Sequence, residues 1–163
     1  MFNAINAQSP DAIVRELKDR AEIVDALYRF GLGQDLKDRE LFASAFAAEA
    51  ELDFRPTAVK IGIESELMVG RDTIVDTILG LFRGRVDTTH TVTNPRVSVD
   101  TDTAELTAVV DAQHVLQADP SQHALLKNLY AVGLVRDGQR WVISRMRIDN
   151  VWYTGTPKAI FGP

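Results

Sequence analysis

Hydrophobic positions in the first third of the chain recur at helical spacing. Ile13, Val14, Leu17, Ala21, Val24, Leu27, Tyr28 and Gly31 follow that period, and Ser9-Pro10 ahead of them supplies an N-cap and a first-turn proline. Asp19 followed by Glu22 repeats a capping pattern, so a break and restart near Lys18 is expected. Gly31 and Gly33 weaken the end of this helix. Asp38 then opens a short helix with Leu41, Phe42, Ala45 and Phe46 as its apolar face. Ala50 to Phe54 alternates and meets Pro56, which predicts a short strand ended by a loop. Residues 57–69 suggest a ragged edge strand. Gly70-Arg71-Asp72 starts a third helix, with Ile74, Val75, Ile78, Leu81 and Phe82 on one face. After Gly84 the period changes to two. Strands are expected over 86–99, 104–117, 124–136 and 140–153, joined by turns at Asp100-Thr101-Asp102, Ala118 to Ser121 and Asp137-Gly138. Helices first and a four-stranded antiparallel meander second make an α+β fold, with helices segregated on one side of a sheet. No repeat or linker divides the chain, so residues 1–163 are expected to form a single domain, with residues 1–9 as a loose arm.

The period-two pattern also sorts the polar groups. Asp87 to Val97 is rich in Thr and Val and carries His90 on the same face as Val92. A histidine there either packs and hydrogen-bonds in the sheet or acts as a general base near neutral pH. A partner carboxylate and a pocket decide between the two. On the next strand His114 shares the apolar face with Ala108, Val110, Ala112 and Leu116. It is either a core histidine or one wall of a pocket for which the small alanines leave room. Asn128 and Tyr130 share a face with Val132 and Leu134, which suits satisfied core groups and a concave site equally. On the last strand Trp141, Ile143, Arg145, Arg147 and Asp149 are expected to oppose Val142, Ser144, Met146 and Ile148. Arg145 and Arg147 then form a solvated face with an ion pair to Asp149, or else an anion clamp. Trp152 and Tyr153 either close a pocket mouth or pack a subunit interface. Asp35, where the first helix ends, is the candidate carboxylate. It either caps a turn or bonds one ring nitrogen of His90, the Asp–His half of a triad without its serine.

Composition narrows the function classes. A net charge of −5 without a basic run argues against nucleic-acid binding. The absence of cysteine removes disulfides, thiolate zinc sites and a thiol nucleophile. Three histidines without helical spacing do not suggest a metal site. No apolar run approaches the roughly 20 residues of a membrane span, and Met1 to Pro10 lacks the features of a signal peptide, so a cytoplasmic location is the default expectation.

The order and spacing of these pieces resemble the cone-shaped α+β barrel of scytalone dehydratase, the SnoaL-like polyketide cyclases and the bile-acid 7α-dehydratase, within the nuclear transport factor 2-like superfamily. The carriers are Ala26-Leu27-Tyr28-Arg29-Phe30 running into Asp35, the segment Leu41 to Phe46, Leu52-Asp53-Phe54, Gly70-Arg71-Asp72-Thr73-Ile74, His90 with Asn94-Pro95-Arg96-Val97, Asp137-Gly138 and Trp141-Val142-Ile143. The resemblance implies a curved antiparallel sheet with N-terminal helices closing an interior pocket. It places a catalytic dyad on Asp35 and His90, a second catalytic histidine on His114, and substrate contacts on Tyr28, Phe54, Asn128 and Tyr130. Two tyrosines of scytalone dehydratase are Gln34 and Phe54 here, which puts the scytalone reaction itself in doubt. The second-strand aspartate of the bile-acid enzyme falls on Gln113.

The expected activity is that of a cofactor-free lyase. His90, oriented by Asp35, takes a proton beside a carbonyl and water leaves, with His114 or Tyr130 as acid and Asn128 on the carbonyl. The substrate is expected to be an apolar polycyclic or aromatic ketone. Ketosteroid-isomerase-like or polyketide-cyclase-like chemistry on the same dyad starts from the same step. A non-catalytic ligand-binding or assembly subunit, like the small subunit of ring-hydroxylating dioxygenases, is the contrasting class. No metal, cofactor, nucleic acid or membrane is expected, and a homodimer or homotrimer would cover the open sheet face.

Overall fold

The computed structural model describes residues 9–162, so all of the expected arm except Ser9 lies outside the described residues. Helix α1 spans Pro10–Leu36 without a break, and Ser9 Oγ accepts from the Ala12 N–H (3.3 Å) to cap it. The break expected near Lys18 does not occur. Asp19 accepts instead from both Arg136 guanidinium nitrogens (2.9 Å each) and from Trp141 Nε1 (3.0 Å), so its carboxylate ties the helix to the sheet. The helix runs through Gly31 and Gly33, and both admit close neighbours. A Cβ on Gly33 would stand 2.5 Å from Phe42 Cα, and one on Gly31 would stand 3.0 Å from His90 Cβ. The helix stops at Lys37, a left-handed residue with φ 56°.

Asp38 caps α2 (Arg39–Ala43) through its Oδ1 on the Leu41 N–H (3.0 Å). Strand β1 (Phe46–Asp53) starts earlier than its alternation predicts, and Pro56 opens helix α3 (Arg55–Ile61) rather than ending the strand in a loop. Proline suits a first helical turn, where its missing N–H has no partner to lose. Of the ragged edge strand only β2 (Met68–Val69) forms. Then follow α4 (Arg71–Phe82), β3 (Val86–Asp100), β4 (Thr103–Leu116), β5 (His123–Asp137), β6 (Arg140–Gly155) and α5 (Pro157–Phe161).

The six strands form one curved, unclosed sheet in the order β2-β1-β6-β5-β4-β3. The meander β3 to β6 is antiparallel as expected, but β1 lies parallel to β6, so the sheet is mixed. Two bulges shift the phase of β6. Ile143 pairs with Leu134 and Arg145 with Gly133, which leaves Ser144 as an extra residue whose Oγ bonds the Gly133 carbonyl (3.1 Å). Beyond this slip Met146 and Ile148 join Trp141 and Ile143 on the buried side. The expected grouping of Arg145 and Arg147 with Trp141 is therefore wrong. Both arginines point outward, Arg145 to Glu105 (2.5 Å) and Arg147 to Asp149 (2.8 Å), in exposed pairs of small energetic weight.

Two apolar clusters fill the interior. The larger joins α1, α2 and α4 to the middle of the sheet through Phe30, Phe42, Phe46, Leu52 and Trp141, and the smaller gathers Ile61, Phe82, Val86, Leu126 and Ile160. Buried Arg29 locks the first of these. It donates to Asp25 Oδ2 (2.8 Å), to the Trp141 carbonyl (2.8 Å) and to the Ser44 carbonyl, so its charge is fully partnered. A cavity remains where the clusters meet, lined by residues of both. Among the described residues no helix is long and apolar enough to cross a membrane.

Candidate active site

The cavity holds about 460 Å³, within the size range of small-molecule sites. Its walls are mainly apolar: Phe30, Leu52, Phe54, Phe82, Leu126 and Phe161 contribute, and Gln34, His90, His114, Asn128 and Tyr130 converge from three strands and a helix. Residues 63–68, between α3 and β2, supply one side with Glu64 and Glu66.

Asp35 sits in the last turn of α1, facing β3. Its Oδ1 lies 2.7 Å from His90 Nδ1 and accepts from Thr88 Oγ1 (2.9 Å), while Oδ2 accepts from the His90 backbone N–H (2.8 Å). Burial pulls the Asp35 carboxyl up, but the hydrogen bonds from His90 and Thr88 and its pairing with His90 outweigh it and hold the group below its usual range. An ionised Asp35 has no proton to give, so Nδ1 carries the hydrogen of that bond and Nε2 is the ring nitrogen left to accept one. The His90 side chain is 4% exposed and lines the cavity, whereas Asp35 lies behind it. The carboxylate and pocket that the catalytic reading of His90 requires are both present.

His114 lies beside His90 on the same face of the sheet, one strand over, with ring centroids 5.8 Å apart, and packs against Phe82 (5.3 Å) and Phe161 (4.8 Å). Its Nδ1 is buried without a hydrogen-bond partner. Burial, and then the neighbouring His90, push its pKa down to about 3. The ring is neutral at ordinary pH, so it can donate a hydrogen bond but has no imidazolium proton to release. Tyr130 is buried against Phe30 (5.9 Å), and burial raises its hydroxyl, which stays protonated. Asn128 Oδ1 accepts from Asn150 Nδ2 (2.9 Å), and that same nitrogen bonds the Trp152 carbonyl (2.9 Å). The carbonyl admits only a donor, which fixes the Asn150 amide and, through it, turns the Asn128 NH₂ toward the cavity, where one hydrogen meets the Tyr130 hydroxyl and the other is left for a ligand.

Phe54, Asn128, Tyr130, His90 and His114 thus meet at one cavity, as expected, with Asp35 behind His90. Tyr28 does not. It is 50% exposed and lines a separate outer groove with Leu32, Thr91 and Val92. The cause is helical phase: Leu27, Phe30 and Gln34 face the sheet, and Tyr28 is turned away from them. Trp152 and Tyr153 are also absent from the cavity wall. Sequence reasoning misses Thr88, which shares a face with His90 by the same alternation, and Phe161, whose helix is signalled by Thr156-Pro157 as the first helix is by Ser9-Pro10. Asn150 lies between the two bulges of β6 and has no such signal.

A curved sheet closed by N-terminal helices over a pocket is the cone of the nuclear transport factor 2-like superfamily. Residues 15–147 match the family described as SnoaL-like domain, and the chain belongs to that family. It is 31% identical over 162 residues to the terrestric acid biosynthesis cluster protein E of Penicillium crustosum, covering 94% of this chain and 96% of that one. A candidate scytalone dehydratase from Novosphingobium aromaticivorans shares the fold with a TM-score of 0.73 at 20% identity, over 88% of this chain and 91% of that one. So does the hexachlorocyclohexane dehydrochlorinase LinA-type3 from Novosphingobium barchaimii, with a TM-score of 0.73 at 21% identity, over 93% and 99%.

Proposed function

We propose that this protein is a cofactor-free lyase that eliminates water from an apolar aromatic or polycyclic ketone. The observation that carries the reading is the 2.7 Å bond between Asp35 and His90 at the wall of an apolar cavity. His90 Nε2 takes the proton from the carbon beside the carbonyl, and Asp35 stabilises the imidazolium that forms. The electron pair of the broken C–H bond passes through the enolate to a new C=C bond as the β C–O bond breaks. The NH₂ of Asn128 steadies the enolate oxygen. Because His114 is neutral, its expected role as proton donor is replaced by a hydrogen bond; the leaving oxygen takes its proton from the His90 imidazolium, directly or through the Tyr130 hydroxyl, which passes on one proton as it receives the one from His90. Water is the product, and His90 returns to its starting state by either route.

Two comparisons support this reading. The solved relatives named above include a candidate dehydratase and a dehydrochlorinase, both names of elimination enzymes. The Penicillium relative is named for a terrestric acid biosynthesis cluster, which favours a biosynthetic small-molecule substrate. Isomerisation and cyclisation share the proton abstraction and differ only after it. The test is incubation with a panel of aromatic and polycyclic β-hydroxy ketones, read by mass spectrometry. Loss of one water from a panel member, abolished in Asp35→Asn, is the expected result; loss of water that survives Asp35→Asn unchanged contradicts the dyad.

A further inference from the structure

Asp35 is not held by His90 alone. Thr88 Oγ1 has one hydrogen, and the 2.9 Å bond to Asp35 Oδ1 uses it. The same oxygen lies 3.1 Å from Lys37 Nζ, so in that bond the ammonium is the donor. Lys37 Nζ also donates to the Gln34 carbonyl (3.0 Å), capping its own helix. A capping role accounts for that bond only. The other reaches a strand 51 residues away and ends on the hydroxyl that holds the proposed dyad. The amine is partly buried, 5.8 Å over the Phe82 ring. The backbone adds a second observation, since Lys37 occupies a left-handed position at φ 56° where glycine is the usual residue.

We propose that Lys37 and Thr88 are positioning residues for the dyad: a cationic arm, relayed through one hydroxyl, that keeps Asp35 ionised and oriented so that His90 keeps a basic Nε2. This rests on the reading of Asp35 and His90 as the base, and deepens it. The charged and titratable groups around Asp35 are few. His90 and Asp87 lie on β3, His114 sits beside His90 on β4, the Tyr130 hydroxyl comes from β5, Lys37 follows α1, and Arg83 at the end of α4 donates to the Lys37 carbonyl (3.3 Å). Asp87 accepts from Gln117 Nε2 (2.8 Å) and acts on Lys37 through space, without a hydrogen bond to it. Lys37 is therefore the cation that reaches the dyad through a hydrogen bond, and its loss leaves Asp35 less favoured as an anion.

The experiment follows the Asp35 carboxyl by carbon NMR across the acid range in the full chain. Lys37→Met and Thr88→Val move its midpoint up by about half a pH unit or more. Thr88→Ser, which keeps the hydroxyl, leaves it in place. Lys37→Gly separates charge from backbone: glycine suits the left-handed position, so thermal stability is kept or gained while the carboxyl shift still appears. A midpoint unmoved in both Lys37 variants overturns the proposal. The base reading fails separately, through turnover that survives in His90→Ala. An unmoved Asp35 midpoint beside an essential His90 removes the relay and leaves the base.

Discussion

A buried imidazole is costly to charge, and His114, whose Nδ1 has no hydrogen-bond partner, is such a group. Its depressed pKa makes folding depend on pH with a definite sign. Below its ordinary value of 6.5 the unfolded chain takes a proton at His114 and the folded chain does not, down to about 3. The stability contribution is complete above that ordinary value and is lost as pH falls toward the folded one, at up to about 1.4 kcal/mol per pH unit. Urea unfolding at pH 7 and pH 5 should show that loss in the unchanged protein and a smaller loss in His114→Phe. Equal losses would show that His114 is not held neutral by burial. Asp35 and His90 are the residues most legible from sequence, because the end of a periodic helix and one face of an alternating strand can each be counted. Their contact depends on tertiary packing; the residues alone leave it open beside a turn-capping role for Asp35, and the resemblance favours it. Tyr28 misleads for the opposite reason: a helix with exposed Ile13, Val14 and Leu17 as well as buried Leu27 does not declare which apolar stripe faces the sheet.

At the scale of elements, approach between α1 and its neighbours sets where the dyad can form. Gly33→Ala would place a methyl group against the Phe42 backbone, which cannot yield as a flexible side chain could, and should cost about 1–3 kcal/mol. Gly80→Ala is the matched control. Nothing stands within 4 Å of a Cβ there, within helix α4. That change should stabilise by about 0.5–1 kcal/mol through helix propensity alone. Thermal or urea midpoints moving in opposite directions for the two variants would confirm that contact, and not helix propensity, decides the outcome at Gly33. Element order and the four long strands are legible because period and turn residues agree. The errors cluster where a local rule is overridden. Pro56 opens a helix after a strand, two bulges reset the alternation of β6, and β1 finds its partner in the last strand by parallel pairing, which no local pattern encodes.

For the whole molecule, the proposed assembly follows from the sheet surface. Leu129, Val151, Trp152 and Tyr153 on β5 and β6 stay 38–57% exposed in the single chain. Such side chains on one pair of strands suit a subunit contact. Light scattering at micromolar concentration should give the mass of two or three chains, and Trp152→Glu should lower it; a single-chain mass for the unchanged protein would leave that face without the proposed partner. The cavity itself closes through parts from both ends of the chain, Gln34 on α1 and Phe161 on α5. Removal of residues 157–163 should therefore open it and weaken ligand binding more than any one wall substitution.

The central claim is that His90 is a base acting on carbon acid protons inside the cavity. Exchange of the α-proton for deuterium, followed by NMR on aromatic and polycyclic β-hydroxy ketones in heavy water, reads that step without depending on what leaves. The unchanged protein should speed exchange in at least one of these ketones, and His90→Ala should slow it by about 10²–10⁴-fold. Exchange as fast in His90→Ala as in the unchanged protein would contradict the account.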